Sequence, residues 1–109
     1  MMGQALIVNN KNFEAEVISS QIPVIVDAYA PWCGPCRMMG PIFDELAQEL
    51  SNSHKCVKLN IDDERDLAIK YNVSSIPTFL FFKNGTLVGK ETGYMSKETL
   101  KSKIENYLK

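Results

Sequence analysis

Residues 24–36 read Val24-Ile25-Val26-Asp27-Ala28-Tyr29-Ala30-Pro31-Trp32-Cys33-Gly34-Pro35-Cys36. The first six form a nearly continuous run of β-branched and apolar residues, the pattern of a central strand buried on both faces. Pro23 opens the run and Pro31 ends it. Beyond the two cysteines, Ile42, Leu46 and Leu50 recur at i, i+4 and i+8, flanked by Phe43 and Ala47, which predicts a long amphipathic helix. Pro41 lies inside that helix and should kink it, because proline removes one backbone bond and crowds the preceding turn. The cysteine pair therefore falls where a core strand hands over to a helix, and open α/β sheets build their sites just past such strand ends.

The same alternation continues in both directions. Ala5–Val8 is short and apolar, an edge-strand candidate. Asn10 or Asn12 can cap a first helix with Phe13 and Val17 on its apolar face. Cys56–Ile61 alternates as a second core strand, and Asp62 or Asp63 can cap a short helix carrying Leu67, Ala68 and Tyr71. Thr78–Phe82 reads as a strand. Asn84-Gly85 follows it and precedes Thr86–Val88, a hairpin signal because both turn residues tolerate positive φ. Ser96 caps a last helix with Leu100, Ile104, Tyr107 and Leu108 on one face. The expected order is β-α-β-α-β-α-β-β-α. A strand–helix–strand front implies parallel pairing and the hairpin antiparallel pairing, giving a mixed sheet with helices on both faces.

The 109 residues suit one domain, 1–109. A chain of this size buries enough core to fold without a disulfide framework or structural metal. The formal net charge of −1 provides no basic field for nucleic acid or anionic lipid, so neither is expected as a partner. Three cysteines is the wrong parity for a disulfide-stapled secreted domain. Met1–Val8 lacks a leader pattern and no apolar stretch approaches the length of a membrane span, so a cytoplasmic monomer is expected.

Cysteines at i and i+3 in a helix's first turn face the same side and can close a small disulfide ring. The unpaired N–H groups and dipole of a helix start favour the thiolate of the first, so Cys33 is the expected nucleophile and Cys36 the resolving thiol. Pro35 fits the first turn, and Gly34 leaves room for another chain to approach. A CxxC can also be half of a zinc site, with His54 and Cys56 as further ligands. Those two head a strand, from which they cannot easily complete a tetrahedron at a helix start, so no metal is expected. Cys56 alone reads as a small core residue. Asp27 is an acid inside an apolar strand. It either hydrogen-bonds backbone at a wet strand end or, buried with a raised pKa, accepts the proton of Cys36. Trp32 reads either as core or as an apolar contact for a substrate chain. Pro77 reads, on the residues alone, as a trans proline starting a strand.

Val26-Asp27, Trp32-Cys33-Gly34-Pro35-Cys36, Pro41, Lys58–Asp62, Ile76-Pro77-Thr78, Phe82–Gly85 and Gly93 together resemble the thioredoxin family over nearly the whole chain. The resemblance implies a thioredoxin fold, a central mixed five-stranded sheet flanked by four helices. It implies dithiol–disulfide exchange through Cys33 and Cys36, Asp27 as a buried acid with Lys58 as its charged neighbour, and a cis Pro77 beside the thiols. The backbone at Ile76 and the rim at Gly93, with Trp32, would meet the substrate. Gly34-Pro35 matches the dipeptide of reducing members. No cofactor would be bound; electrons would come from NADPH through a flavin-containing thioredoxin reductase, to be passed to disulfide-containing client proteins. The alternative is a binding subunit on the same fold with a dispensable redox pair. Two departures stand out. The family often has aromatic residues at the positions of Ala28 and Tyr29, where here the first is small and the second is tyrosine rather than tryptophan, and often a small residue at that of Tyr94.

Overall fold

The structure is a computed structural model that describes residues 5–109; Met1–Gln4, part of the stretch read for a leader, lie outside them. Its elements are β1 (Leu6–Val8), a π-helical turn (Glu14–Ile18), β2 (Val24–Tyr29), α1 (Gly34–Glu49), β3 (Lys55–Asn60), α2 (Arg65–Lys70), β4 (Thr78–Lys83), β5 (Thr86–Thr92) and α3 (Lys97–Tyr107). The five strands form one sheet in the order β1-β3-β2-β4-β5. β1 and β2 run parallel to β3, whereas β4 is antiparallel to both β2 and β5. This is the expected mixed sheet with four helical segments, the thioredoxin fold.

β2 sits at the centre because it is apolar on both faces. Val24 to Ala28 are all buried. Ile25 faces the same side as Phe79, Phe81 and Cys56, where α1 and α3 pack with Met39, Phe43, Leu46, Leu100 and Ile104. Val24 and Val26 face the other side with Val57, Leu59, Leu80 and Phe82, covered by Val17 of the π-helical turn, the preceding Phe13, and Leu67 of α2. Burying each large side chain contributes roughly 1.5–3 kcal/mol. Phe13, Tyr71 and Phe82 meet edge-on or tilted, with ring centroids 5.3–5.9 Å apart.

Two expected helix caps are not formed. Asn10 caps nothing. Asn9 and Asn12 instead bond reciprocally: Asn9 Oδ1 accepts from the Lys11 and Asn12 N–H groups, and Asn12 Oδ1 from the Asn9 N–H. The first helix starts later, behind Phe13, and its Ser19 N–H reaches back five residues to the Glu14 carbonyl. Asp62 and Asp63 do not cap α2 either. They lie in a turn closed on the Asn60 carbonyl, and α2 starts at Arg65 with no side-chain cap. Ser96 does cap α3, its hydroxyl accepting from the Thr99 N–H at 3.1 Å. Asn84 and Gly85 take φ of 53° and 79°, as the hairpin requires. β5 runs on to Thr92, past the expected Val88.

Gly89 is demanded by packing. The register of β4 and β5 shifts between Phe81 and Phe82, and Phe81 stacks on Tyr107 at 4.8 Å. A Cβ at Gly89 would overlap the Tyr107 ring. Gly89→Ala should therefore lower stability by about 1–3 kcal/mol, the cost typical of overpacking, read as a reduced urea midpoint with an unchanged slope.

Candidate active site

One end of the sheet gathers the segments around the cysteine pair. β2 ends at Tyr29 and β3 at Asn60, while the antiparallel β4 begins there, with Thr78 opposite both Ala28 and Thr92. The Ile61 N–H donates to the Tyr29 carbonyl at 2.9 Å, and the Gly93 N–H to the Pro77 carbonyl at 2.8 Å. Cys33, Cys36 and Ala30 form a small buried cluster, against which Tyr29, Ile61 and Ile76 pack. The chemistry-bearing residues are thus drawn from four chain segments to one edge.

Cys33 and Cys36 are joined as a disulfide, with their Cα atoms 5.2 Å apart. Their positions differ. Cys33 is the N-cap of α1, with extended backbone (φ −86°, ψ 117°), and its sulfur accepts the Cys36 N–H at 3.2 Å. Cys36 belongs to the helix, one turn before Met39 on the stripe that Phe43 and Leu46 continue into the core. A thiolate at Cys33 would occupy the acceptor position at the start of a 16-residue helix, where orphan N–H groups and the dipole favour negative charge. Pro35 occupies the first turn, where a missing N–H is harmless. Pro41 lies within the continuous helix and has no N–H to give the Arg37 carbonyl.

The Ile76–Pro77 bond is cis, against the reading from the residues alone and as the resemblance implies. Pro77 is buried, and the Ile76 carbonyl lies 3.9 Å from the Cys33 sulfur, a contact since a disulfide sulfur has no proton to donate. Gly93 has φ of +96°, a conformation that glycine adopts freely. Gly34 needs no such freedom, and a Cβ there would meet nothing within 4 Å. The fold does not require glycine at 34; the space is open to an approaching chain.

Trp32 is 68% exposed, which removes it from the core. Its indole N–H donates to Asp62 Oδ2 at 2.8 Å, a partner the sequence did not reveal. Ile61 was also missed, as the half-buried end of a strand gives no signal of which loop it will touch. Of the residues that depart from the family, Ala28 is wholly buried opposite Leu59 on the sheet face away from Asp27, whereas Tyr29 adjoins the cysteine cluster. Tyr94 is exposed beside Gly93.

Asp27 is 1% exposed, so the wet-strand-end reading fails. It faces the same side as Ile25, two residues nearer the cysteine end, beneath α1. Its Oδ1 has no hydrogen-bond partner among the described residues. Burial pushes its pKa up to about 7, against the pull of Lys58; Asp44 adds to the rise. Lys58 lies opposite Asp27 in the sheet, 3.8 Å from Asp44 Oδ1 and 5.8 Å from the Tyr29 ring centre. Cys56 is buried, and burial followed by the Asp27 charge raises its pKa to about 12, so it stays a thiol. Cys56 and His54 lie at the start of β3, roughly 17 Å along the strand from its active end. They cannot share a ligand set with Cys33 and Cys36. No group of three or more His, Cys, Asp or Glu side chains among the described residues is arranged to hold a metal ion.

A model of the thioredoxin family matches residues 4–106. The chain is 48% identical over 98% of its length to the chloroplastic M-type thioredoxin of Pisum sativum, of which it spans 62%. It is 44% identical to thioredoxin 1 of Synechococcus elongatus and 41% to the thioredoxin of Haemophilus influenzae; in each case 98% of this chain covers the whole relative. The chain belongs to the thioredoxin family. It is a thiol–disulfide oxidoreductase, with a redox-active cysteine pair at the helix start.

The Asp27 carboxyl also predicts a stability trend. Its folded pKa exceeds the unfolded value of about 3.9, so the folded state holds the proton between pH 4 and 7 and loses stability as pH rises through that window. Asp27→Asn should match the parent near pH 4 and exceed it at pH 8. The gain is at most about 4 kcal/mol, at roughly 1.4 kcal/mol per pH unit. Urea unfolding of the oxidised proteins at both pH values measures it.

Proposed function

We propose that the chain is a general protein-disulfide reductase in which Cys33 attacks, Cys36 resolves and Asp27 handles the resolving proton. The observation that supports it is the asymmetry of the pair, with the Cys33 sulfur at the helix cap and Cys36 inside the buried helix face. The Cys33 thiolate attacks one sulfur of a client disulfide and the other client sulfur leaves as thiolate, giving a mixed disulfide. Cys36 passes its proton to the Asp27 carboxylate and attacks the Cys33 sulfur, releasing the second client thiolate. Two electrons reach the client, and Cys33 and Cys36 end oxidised. A proton acceptor with a pKa near 7 is well matched to a thiol at neutral pH.

Thioredoxins work with thioredoxin reductase and disulfide-containing clients. For this chain the reading is that NADPH reduces the pair through a flavin-containing reductase, with no cofactor held by the chain itself. The apolar rim of Trp32, Ile76 and Pro77, with Gly93, would receive the extended client segment, and Lys58 would tune Asp27. Gly34-Pro35 suits a reductant, and the cytoplasm is the proposed setting for a monomer.

NADPH-driven reduction of a protein disulfide in the presence of a thioredoxin reductase tests this reading. The chain should turn over, and Cys33→Ser should be inert. No turnover would favour a binding role with a dispensable pair. Cys36→Ser should accumulate covalent client complexes through Cys33; efficient capture by Cys33→Ser would reverse the assignment. Asp27→Asn should slow resolution of the mixed disulfide at least about tenfold more than its formation, within the range of general-base effects. Equal slowing of both steps would remove Asp27 from that role.

A further inference from the structure

Lys58 lies opposite Asp27 in the sheet, yet its ammonium is held elsewhere. Among the described residues its one ion pair is with Asp44, 3.8 Å from Oδ1, and the ammonium lies 5.8 Å from the centre of the Tyr29 ring, within cation–π range. Asp44 follows Phe43 on α1, at the edge of the helix stripe that enters the core. Its Oδ1 also accepts the Ala5 N–H at 3.3 Å, which ties the carboxylate to the segment leading into β1. The Asp44 carboxylate is thus fixed between an anchored helix and the first strand. Asp27 Oδ1, by contrast, has no hydrogen-bond partner among the described residues.

The groups that face Asp27 come from each element packed around it. Lys58 and Cys56 stand on β3, Asp44 on α1 with Cys36 in its first turn, and Tyr29 two residues further along β2. β4 sets Phe79 opposite Asp27, and α3 closes the same face with Leu100 and Ile104. Lys58 is the single cation of this set. Cys56 and Tyr29 are neutral, and the Asp27 charge opposes the ionisation of both. The field at Asp27 therefore depends on where the Lys58 ammonium sits. A cation within about 4–6 Å of a carboxyl favours the ionised form, and a nearby anion does the reverse. Asp44 acts in both ways, drawing Lys58 to itself and adding its own negative charge.

We propose that Asp44 is a positioning residue of the resolving step: it holds the Lys58 ammonium off Asp27 and so keeps the Asp27 carboxylate basic enough to take the Cys36 proton. This rests on the reading of Asp27 as the proton acceptor and adds to it a residue that acts through Lys58 rather than on the thiols. The proton passes from the Cys36 sulfur to Asp27, while Asp44 and Lys58 keep their charges throughout.

Asp44→Asn keeps an oxygen for the Ala5 N–H and removes the charge. In the oxidised protein, where neither Cys33 nor Cys36 titrates, the Asp27 carboxyl-carbon resonance is followed against pH. Its midpoint should fall in Asp44→Asn by at least about half a pH unit, about threefold in the acid constant. Asp44→Glu should restore it. In a Lys58→Met background the same Asp44→Asn change should move the midpoint less than half as far, since only the direct repulsion is left. In the reduced protein a symmetric aryl disulfide reports both steps: one aryl thiolate leaves when Cys33 attacks, the second when Cys36 resolves. The acid limb of the second phase should move down with the midpoint, and its plateau should slow, as a weaker base requires. A midpoint that stays or rises in Asp44→Asn, or that falls equally without Lys58, would overturn the positioning role and leave Asp27 as the acceptor. A midpoint that falls while the acid limb stays would overturn the reading of Asp27 itself, and the role of Asp44 with it.

Discussion

The seating of the N-terminus of α1 over the end of β2 is the constraint on which the active end depends. A helix start leaves backbone N–H groups without partners. Here the Cys33 sulfur takes one of them, from Cys36. The same contact fixes the distance between the two cysteines and biases the first toward the thiolate. It holds only because the helix cannot slide: Met39, Phe43 and Leu46 are locked into the Phe79–Phe81 face of the sheet. The reactivity of one side chain is thus anchored by core packing several turns away.

Asp27 shows the opposing demand. A central strand buried on both faces has no place for a charge, and the fold tolerates the residue by holding its proton until near neutrality. Lys58 is near enough to pull the pKa down, yet its ammonium is shared with Asp44 and lies over the Tyr29 ring. That division leaves Asp27 poised near neutrality. A tight Lys58–Asp27 pair would hold it ionised, whereas an entirely apolar site would keep it protonated. Tyr29, smaller than the tryptophan often found there in the family, belongs to this balance.

Much of this was legible in the sequence because long periodic patterns survive tertiary context. The Val24–Tyr29 run, the Ile42–Leu46 stripe, Asn84-Gly85 and Ser96 all took their expected structures. Single-residue signals fared worse where a competing partner existed. Asn12 and Asp62 carry side chains suited to helix caps, but Asn12 bonds back to Asn9 and Asp62 holds Trp32 thirty residues away. No local pattern encodes that second choice. The cis geometry at Pro77 was likewise invisible in the residues alone and entered through the resemblance to the family.

Cys33 and Cys36 are equally covered in the disulfide state, each 5% exposed, so exposure cannot assign their roles. What separates them is what moves when the bond opens. Cys36 is held by a helix that continues into the core. Cys33 precedes the helix, and beside it stand an open space at Gly34, the Ile76 carbonyl and the exposed Trp32 ring. On the proposed mechanism a client sulfur would approach Cys33 from that side. The open space at Gly34 and the Ile76 carbonyl beside the Cys33 sulfur therefore suit the extended client, lying along Ile76, that the proposed mechanism requires.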